Sequence, residues 1–494
     1  MSRTVVEEGT LPPLLAEERS DQTAIVHGDE RISRAELADR VARLAGGLSA
    51  RGVGPHEPVA LVLRDSPAFV TSFLAVTALR AIAVPLDPRC KEAELRFCLR
   101  ECGVRHVIAD ADRAGACGAQ AADGEAVDVI AAVDELIAAH APVALSGAQP
   151  GDEAVYQYSA GCTGGPKRVP RTHGQLRAEA DSLVATLGLT PADVVFSTIP
   201  LFHSYGLGSC MLAALASGAT LTLLEDPHPF VLQRDHALDV LTRARATVFP
   251  AVPFILRLLA EAPGHGDLSS LRLCLSAASA LPRPTFEAFA QRFGVPIRQL
   301  YGSTETGAVA ANLDDDPWTT WRSVGRPLDG VEVGVLDAAG EPAADGRIGE
   351  IAIRSPAMTL GYAGRPQLNG ELFAGGWFLT NDRGRVDEAG RVHITGRKQL
   401  LIDVKGDKVD PVEVEDVLAV HPRVHEVVVV GVESGAEGED LIKAVVVPDG
   451  SCEARELIRY ARERLSNYKV PQMIEFRDDI PRSPSGDVLR KYLI

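Results

Sequence analysis

The middle of the chain alternates short apolar runs with longer stretches that have a helical pattern of apolar residues. The runs that predict strands lie at 194–199, 219–224, 247–249, 271–275 and just before Tyr301, and the stretches that predict helices lie at 207–216, 231–244, 253–261 and 284–293. This alternation indicates βαβ units and a mainly parallel sheet covered on both faces. Because ligands bind beyond the carboxyl ends of strands in such sheets, we expect a site in the loops after residues 199, 275 and 300.

The pattern changes twice toward the C-terminus. From about 321 to 397, short strand-like runs are separated by Gly, Pro and Asp, which predicts a smaller β-subdomain. After Gly396, β-branched runs at 427–430 and 444–447 accompany helical segments at 411–420 and 453–465. We therefore predict an α/β fold. A large N-terminal domain (1–398) of covered, mainly parallel sheets with a β-subdomain precedes a small, mobile α+β C-terminal domain (399–494).

Composition narrows the class of protein. The formal net charge of −17 argues against a nucleic-acid binder, and an anionic cofactor would have to be held by local basic groups. No apolar run is long enough to span a membrane, and the first residues lack the features of a signal peptide. The eight cysteines are scattered without a C-x-x-C motif, so neither a disulfide framework nor a zinc site is expected. A reducing cytoplasm fits these features.

The first segment with candidate chemistry is 158–169 (YSAGCTGGPKRV). Glycines that follow a strand let backbone N–H groups turn toward phosphate oxygens, and Lys167 adds a positive charge. The segment is not a Walker A loop, because no Ser or Thr follows the lysine. A surface turn with a solvated lysine is the alternative interpretation.

Three further segments carry candidate side chains. In 301–307 (YGSTETG), the face of Tyr301 can stack on a purine and Glu305 can bind Mg²⁺ beside a phosphate. In 376–382 (GWFLTND), Asp382 can accept hydrogen bonds from ribose hydroxyls. Ordinary turns are the alternative in both places. The last segment is 481–491 (PRSPSGDVLRK).

Together and in this order, the segments resemble the adenylate-forming superfamily, which includes acyl-CoA synthetases, peptide-synthetase adenylation domains and luciferases. The resemblance extends from about Gly52 to Lys491 and includes 200–203 (PLFH) and 468–471 (YKVP). It implies two half-reactions. A carboxylic acid first reacts with ATP to give an acyl-adenylate, and the C-terminal domain then rotates about Gln399 so that the thiol of CoA attacks. The implied cofactors are the AMP moiety of the acyl-adenylate, CoA and, if ATP is used, Mg²⁺.

The resemblance also implies roles for individual positions. Nucleotide binding falls to Thr163, Gly164, Lys167, Ala277, Ala278, Ser279, Tyr301, Gly302, Thr304, Asp382 and Arg397. The implied catalytic positions are His203, Glu305, Gly406 and residue 487; Lys405 and Gly406 line a CoA tunnel, and Glu305 and Thr163 match Mg²⁺ ligands. Tyr205, Gly206 and Ser209 match the substrate pocket.

The main departure from the family pattern is Asp487, which stands where the family has its catalytic lysine. Smaller departures are Ala160, Arg168, Asn381 and the pair Ala277–Ala278. Loss of the lysine predicts that adenylation is weak or absent while thioester formation is retained, with a separate adenylating enzyme as a partner. A complete synthetase that uses another lysine and a catalytically silent acyl-nucleotide-binding protein stay open as alternatives.

The substrate pocket gives a prediction about the acid. Amino-acid-activating relatives have an aspartate at the position of Tyr205, where it pairs the substrate ammonium. Tyrosine cannot supply that charge, so we predict a carboxylic acid without an α-amino group. Gly206, Ser209 and Ala278 are small, which favours a roomy pocket for a bulky apolar or aromatic acyl group, although small residues can equally serve close helix packing.

Overall fold

The computed structural model describes residues 10–11, 21–118, 127–145, 147–159, 166–225, 229–337, 339–397, 402–404, 407–433, 440–483 and 488–494. The strands are β1 (Thr23–His27), β2 (Glu30–Ser33), β3 (Pro58–Val62), β4 (Ile82–Pro85), β5 (His106–Ala109), β6 (Asp128–Ile130), β7 (Glu153–Ser159), β8 (Lys167–Thr172), β9 (Val194–Ser197), β10 (Thr220–Leu223), β11 (Val248–Ala251), β12 (Leu273–Ser276), β13 (Ile297–Ser303), β14 (Gly307–Ala311), β15 (Arg326–Pro327), β16 (Glu332–Leu336), β17 (Gly349–Arg354), β18 (Phe373–Ala374), β19 (Trp377–Val386), β20 (Val392–Arg397), β21 (Ile402–Val404), β22 (Asp407–Val409), β23 (Val424–Glu433), β24 (Asp440–Pro448) and β25 (Met473–Phe476).

The helices are α1 (Arg34–Ala50), α2 (Pro67–Ala78), α3 (Glu92–Cys102), α4 (Ala111–Gly118), α5 (Val133–Ala139), α6 (His173–Leu187), α7 (Ala213–Ser217), α8 (Phe230–Arg243), α9 (Pro253–Ala260), α10 (Arg283–Phe293), α11 (Pro317–Thr320), α12 (Pro366–Leu372), α13 (Pro411–Ala419) and α14 (Ala454–Arg462). A π-helix, Gly206–Leu212, leads directly into α7. No helix in the described part of the chain is long and apolar enough to cross a membrane.

Two mainly parallel sheets form the large domain. The first has the order β15-β14-β13-β12-β11-β9-β10-β1-β2, and the second has the order β6-β5-β3-β4-β7-β8. Within the first sheet, the consecutive strands β13, β12, β11, β9, β10 and β1 are parallel, as the alternating pattern predicts. Helices bury apolar side chains against both sheets, and the rings of Phe196 and Phe249 meet in the resulting core with centroids 5.5 Å apart.

The strand predicted to end at Tyr301 continues to Ser303 and reverses into β14 as an antiparallel hairpin. Gly302 allows this close approach, because a Cβ at that position would lie 2.4 Å from the carbonyl oxygen of Gly307. The hairpin brings the 301–307 segment to the carboxyl end of the parallel sheet, so the site is expected at the sheet edge that the sequence indicated.

The β-subdomain and the C-terminal domain have separate apolar clusters. In the β-subdomain, β16, β17, β19 and β18 are antiparallel neighbours and β20 pairs with β19 around Ile351, Ile353 and Val392. In the C-terminal domain, α13 and α14 cover a β23-β24-β25 sheet, and β21 pairs with β22. This arrangement confirms the predicted α/β class with a β-subdomain and a small α+β C-terminal domain.

Candidate active site

A buried carboxylate organises the part of the site assigned to the nucleotide. Asp382 of β19 is the cross-strand partner of Arg397 of β20, and Arg397 Nε donates to Asp382 Oδ1 at 2.8 Å. The Tyr301 hydroxyl donates to Asp382 Oδ2 at 2.5 Å. Burial, reinforced by the Asp382 carboxylate, raises the pKa of Tyr301 well above its ordinary value, so the hydroxyl remains a donor. A carboxylate accepts about four hydrogen bonds, which leaves Asp382 with capacity for a ligand.

Two non-glycine residues at this site adopt left-handed backbone conformations. Asn381, just before Asp382, has φ of +61°, and Ala278, in the loop after β12, has φ of +70°. The resemblance places glycine at both positions, and the left-handed region explains that preference. Asparagine tolerates this region well, whereas alanine is strained there. The 277–279 loop and the backbone of β19 before Asp382 therefore keep the path that glycine would allow.

Glu305 and Lys167 contact the same tyrosine. The hydroxyl of Tyr362 donates to Glu305 Oε1 at 2.8 Å, and Lys167 Nζ lies 4.8 Å from the centroid of the Tyr362 ring. Glu305 is 7% exposed. Burial raises the pKa of Tyr362, and the Glu305 carboxylate adds to the effect. The resemblance also matches Gly361 and Tyr362 to the family pattern but implies no role for Tyr362, so its contact with Glu305 needed the structure.

The segment assigned to the acyl group lies beside the nucleotide segment. The hydroxyls of Ser204 and Thr304 are 3.3 Å apart, which joins the loop before the π-helix to the 301–307 hairpin. The Tyr205 N–H donates to His203 Nδ1 at 3.3 Å, and the Tyr205 hydroxyl donates to the carbonyl of Ala251 at 3.3 Å. Burial raises the pKa of Tyr205 well above its ordinary value. The structure thus brings His203, Tyr205 and Thr304 together.

Gly206 is small for packing reasons. A Cβ at this position would lie 2.3 Å from the carbonyl oxygen of Pro200 and 2.7 Å from that of Ile199. The packing alternative therefore explains Gly206, and its small size is no argument for a roomy pocket. Ser209, three residues further along the π-helix, is buried.

The base of the phosphate loop is held on helix α3. The β7–β8 hairpin pairs Tyr158 with Arg168 and Ser159 with Lys167. Arg168 Nε lies 3.4 Å from Glu101 Oε1, and the Tyr158 hydroxyl donates to Glu101 Oε2 at 2.6 Å. Arg168, where the resemblance places glycine, is accommodated by these contacts.

Several assigned residues lie outside the described residues: Thr163, Gly164, Gln399, Lys405, Gly406 and Asp487. The base of the loop that carries residue 487 is described, because Arg482 and Val488 form a β-bridge and Leu489 N donates to the carbonyl of Pro481 at 2.9 Å. Within the described ranges, no three His, Cys, Asp or Glu side chains cluster so as to hold a metal ion. Mg²⁺ binding by Glu305 therefore stays a prediction, and it would need phosphate oxygens of the nucleotide as further ligands.

Comparisons with known proteins identify the family of this chain. The chain matches the AMP-binding enzyme family over residues 15–363 and the AMP-binding enzyme C-terminal domain over residues 413–487. It is 33% identical to feruloyl-CoA synthase of Amycolatopsis sp over 491 residues, which cover 98% of this chain and 97% of that protein. ATP-bound MatB from Rhodopseudomonas palustris superposes with a TM-score of 0.90 at 28% identity, covering 98% of both chains.

A second solved structure holds a reaction intermediate. The o-succinylbenzoate CoA synthetase of Bacillus subtilis in complex with its acyl-adenylate intermediate superposes with a TM-score of 0.88 at 28% identity, covering 98% of both chains. The family models and these relatives match the chain along most of its length. The chain therefore belongs to the AMP-binding enzyme family and is an acid–thiol ligase.

Proposed function

We propose that this chain forms an acyl-CoA thioester from an acyl-adenylate and CoA, and that it is poor at forming the acyl-adenylate itself. The observation that carries the proposal is the Asp382 site, where a buried carboxylate beside the Tyr301 ring offers acceptors for ribose hydroxyls and an aromatic face for adenine. The CoA synthetases among the relatives support a thioester product.

In the proposed reaction the two domains have separate tasks. The 1–398 domain holds the acyl-adenylate, with Thr304 at the α-phosphate and His203 at the entrance to the acyl carbonyl. The 399–494 domain turns about Gln399 and presents the loop at Lys405 and Gly406, which lines the path of the CoA thiol. The sulfur attacks the acyl carbonyl carbon, the carbon–oxygen bond to the phosphate breaks, and AMP leaves while the thiol proton is released.

Asp487 is the reason to expect weak adenylation. A lysine there would bridge the attacking carboxylate and the α-phosphate through charge-assisted hydrogen bonds worth roughly 1.5–3 kcal/mol each. Aspartate removes them and adds a like-charge repulsion of about 1 kcal/mol at 4 Å in water, or about 4 kcal/mol at an intermediate dielectric. One such bond together with the repulsion amounts to about 3–7 kcal/mol, which corresponds to a loss of roughly 10²–10⁵-fold in the adenylation rate.

The two other lysines considered as replacements have contacts of their own. Lys469 Nζ lies 2.7 and 2.6 Å from the two carboxylate oxygens of Glu413, and these contacts raise the pKa of Lys469. Adenylation by Lys469 would require this pair to separate. Lys491 Nζ lies 5.0 Å from the centroid of the Tyr492 ring. These contacts support the loss of adenylation over a complete synthetase.

For the acyl group, we propose an aromatic or other bulky apolar carboxylic acid without an α-amino group. The Tyr205 hydroxyl is directed to the carbonyl of Ala251, so this position offers no negative charge to an ammonium group. Burying an unpaired ammonium would cost several kcal/mol. Feruloyl-CoA synthase among the relatives supports the aromatic class.

The test compares two starting mixtures with the same purified protein. Aromatic acid, ATP and CoA form one mixture, and the matching acyl-AMP with CoA forms the other; Asp487→Lys is assayed in parallel. We expect acyl-CoA from acyl-AMP only, with ATP-dependent product gained in the lysine variant. Rapid product from free acid and ATP would show a complete synthetase. Binding of acyl-AMP without any thioester would show a silent binding protein.

A further inference from the structure

A fully buried ion pair lies beneath the site and has no role in the assignments above. Arg171 of β8 and Glu179 of α6 are 1% and 3% exposed, and Arg171 Nη2 lies 2.7 Å from Glu179 Oε2. Burying two charges costs several kcal/mol per ion, and well-packed apolar residues often replace such a pair without loss of stability. The pair therefore calls for a role other than stability, and its contacts indicate one.

Glu179 lies between the acyl segment and the nucleotide hairpin. Its Oε1 accepts a hydrogen bond from the N–H of Ala308 at 3.0 Å. A Cβ at Gly307 would come within 2.5 Å of the carboxyl carbon, and a Cβ at Gly208 within 2.4 Å of Oε1. The carboxylate thus occupies the space that these two glycines leave, one in the turn after Glu305 and one in the π-helix.

Arg171 and its neighbour Gln175 hold the segment on the other side of the hairpin. Arg171 Nε donates to the carbonyl of Ala357 at 3.1 Å, and Gln175 Nε2 donates to the carbonyl of Met358 at 2.7 Å. Gln175 is itself fixed, because it forms a capping box with Thr172 at the start of α6.

The segment held by Arg171 returns to Glu305. The N–H of Thr359 donates to the carbonyl of Glu305 at 2.8 Å, and the Tyr362 hydroxyl donates to its carboxylate at 2.8 Å. The Thr359 hydroxyl also donates to the carbonyl of Pro170, the residue before Arg171, at 2.6 Å. The buried pair and Glu305 are therefore joined by contacts from two directions.

We propose that Arg171 and Glu179 are positioning residues for the nucleotide site: their ion pair fixes the 303–308 turn against the 357–362 segment, and so sets where Thr304 and Glu305 meet the bound nucleotide. Because both side chains are almost fully buried, we assign them no direct contact with the nucleotide. The proposal deepens the site assignment but does not depend on Asp487 or on thioester formation, because AMP binding alone reports on it.

The test separates positioning from stability. AMP binding is measured by calorimetry for Glu179→Gln, Arg171→Met and the double variant Arg171→Met/Glu179→Met, at a temperature where each is folded. The single changes leave a buried charge unpaired, whereas the double variant removes both charges and is expected to recover most of the stability. We expect AMP binding to remain about 10-fold or more weaker in the double variant. The turn then lacks the Glu179 carboxylate that accepts from Ala308, and the 357–362 segment lacks the Arg171 guanidinium that donates to Ala357.

The control is Leu44→Ala in α1, which removes a fully buried side chain and leaves the site untouched. We expect it to lower stability with unchanged AMP affinity. The proposal is overturned if the double variant binds AMP like the wild type. It is also overturned if Leu44→Ala and the double variant, at the same loss of stability, weaken AMP binding to the same extent. Glu179→Gln keeps the shape of the side chain and an oxygen that can accept from Ala308. A smaller loss of AMP affinity in Glu179→Gln than in Arg171→Met would support the proposal. Absence of thioester product would contradict the proposed function and leave this result intact.

Discussion

The hydroxyl of Tyr301 donates a hydrogen bond to the carboxylate of Asp382, across 81 positions of sequence. This contact joins the strand assigned to adenine with the strand assigned to ribose, so both parts of a nucleoside would meet one carboxylate. Arg397 donates a hydrogen bond to the other oxygen of the Asp382 carboxylate, which restricts rotation of the carboxylate group. Tyr301 and Arg397 therefore fix the orientation of the Asp382 carboxylate from two sides.

Asp382→Asn should weaken AMP binding. The amide keeps the size of the side chain but loses the charge that strengthens hydrogen bonds from ribose hydroxyls by about 1–2 kcal/mol. We expect AMP affinity to fall by about 10-fold, measured by calorimetry. Asp387→Asn, in the same strand region but paired with Arg391 and His393, is the matched control and should bind AMP normally. Equal AMP affinity of the wild type and Asp382→Asn would show that the Asp382 carboxylate does not contribute to nucleotide binding.

Ala278→Gly should stabilise the protein, whereas Ala277→Gly should destabilise it. The left-handed conformation of Ala278 costs about 1–2 kcal/mol, part of which glycine recovers. We expect the free energy of unfolding to rise by about 0.5–1 kcal/mol. Ala277 has no such strain and is buried, so glycine there loses packing and adds backbone entropy to the unfolded state. Urea denaturation measures the free energy of unfolding of both variants. A decrease of similar size in both would show that the backbone at Ala278 is not strained.

The sequence predicted the parallel sheet well because its strands are buried on both faces and appear as plain apolar runs. It placed α8, α9 and α10 within about two residues for the same reason, since each has one apolar face. It missed the β13–β14 hairpin, because the close approach at Gly302 depends on a partner strand. It also assigned an ordinary helix where the structure has a π-helix at Gly206–Leu212, since the spacing of apolar residues does not separate these two helix types.

At the site, the resemblance supplied Asp382, Arg397 and Glu305, but the contacts between segments needed the fold. Glu179 was missed because a glutamate in a helix normally faces solvent. The available signal was its position on the apolar face of α6, three residues after Leu176 and four before Leu183. Charge on an apolar helix face indicates a buried partner, although the sequence could not identify that partner as Arg171.

Gly206→Ala should destabilise the protein without revealing a pocket. The added methyl group would meet the carbonyl oxygens of Ile199 and Pro200, and overpacking of this kind costs about 1–3 kcal/mol. Gly115→Ala in α4 is the control, since a Cβ there meets no atom within 4 Å and alanine favours the helix. Thermal unfolding should show opposite shifts. A stable Gly206→Ala protein with a narrower range of acids would instead place Gly206 in the pocket.

Stability should fall in acid because of His173. Burial lowers the pKa of this histidine from 6.5 to about 4, while nearby Asp152 opposes the shift and Arg80 adds to it. Between these values the unfolded chain binds a proton that the folded chain does not, so stability is full above pH 6.5 and is lost as the pH falls toward 4. We expect His173→Asn to lose about 2–3 kcal/mol less than wild type between pH 7.5 and 4.5 in urea denaturation. Parallel losses in both proteins would contradict this role.

Arg257 of α9 should hold the C-terminal domain in the orientation of this structure. Its Nη2 lies 3.0 Å from Glu426 Oε2, and both side chains are largely buried, at 16% and 14% exposure. Arg482 pairs with the other oxygen of Glu426, and its guanidinium lies 5.0 Å from the centroid of the Phe254 ring. Arg482, at the base of the loop that carries Asp487, is thereby joined to α9 through Glu426 and Phe254.

We expect Arg257→Met to release this docking. Glu426 then keeps its pair with Arg482 but loses the ion pair with α9, and the contact between Arg257 and His425 is lost as well. Fluorescence energy transfer between dyes at Leu232 of α8 and Arg459 of α14, both exposed, should broaden or shift relative to wild type. Arg322→Met is the control, since the Arg322–Asp416 pair also joins the domains but is 66% and 42% exposed, and exposed pairs contribute little. If Arg257→Met leaves the transfer efficiency unchanged, or Arg322→Met shifts it as far, then apolar contacts rather than this buried pair hold the domains together.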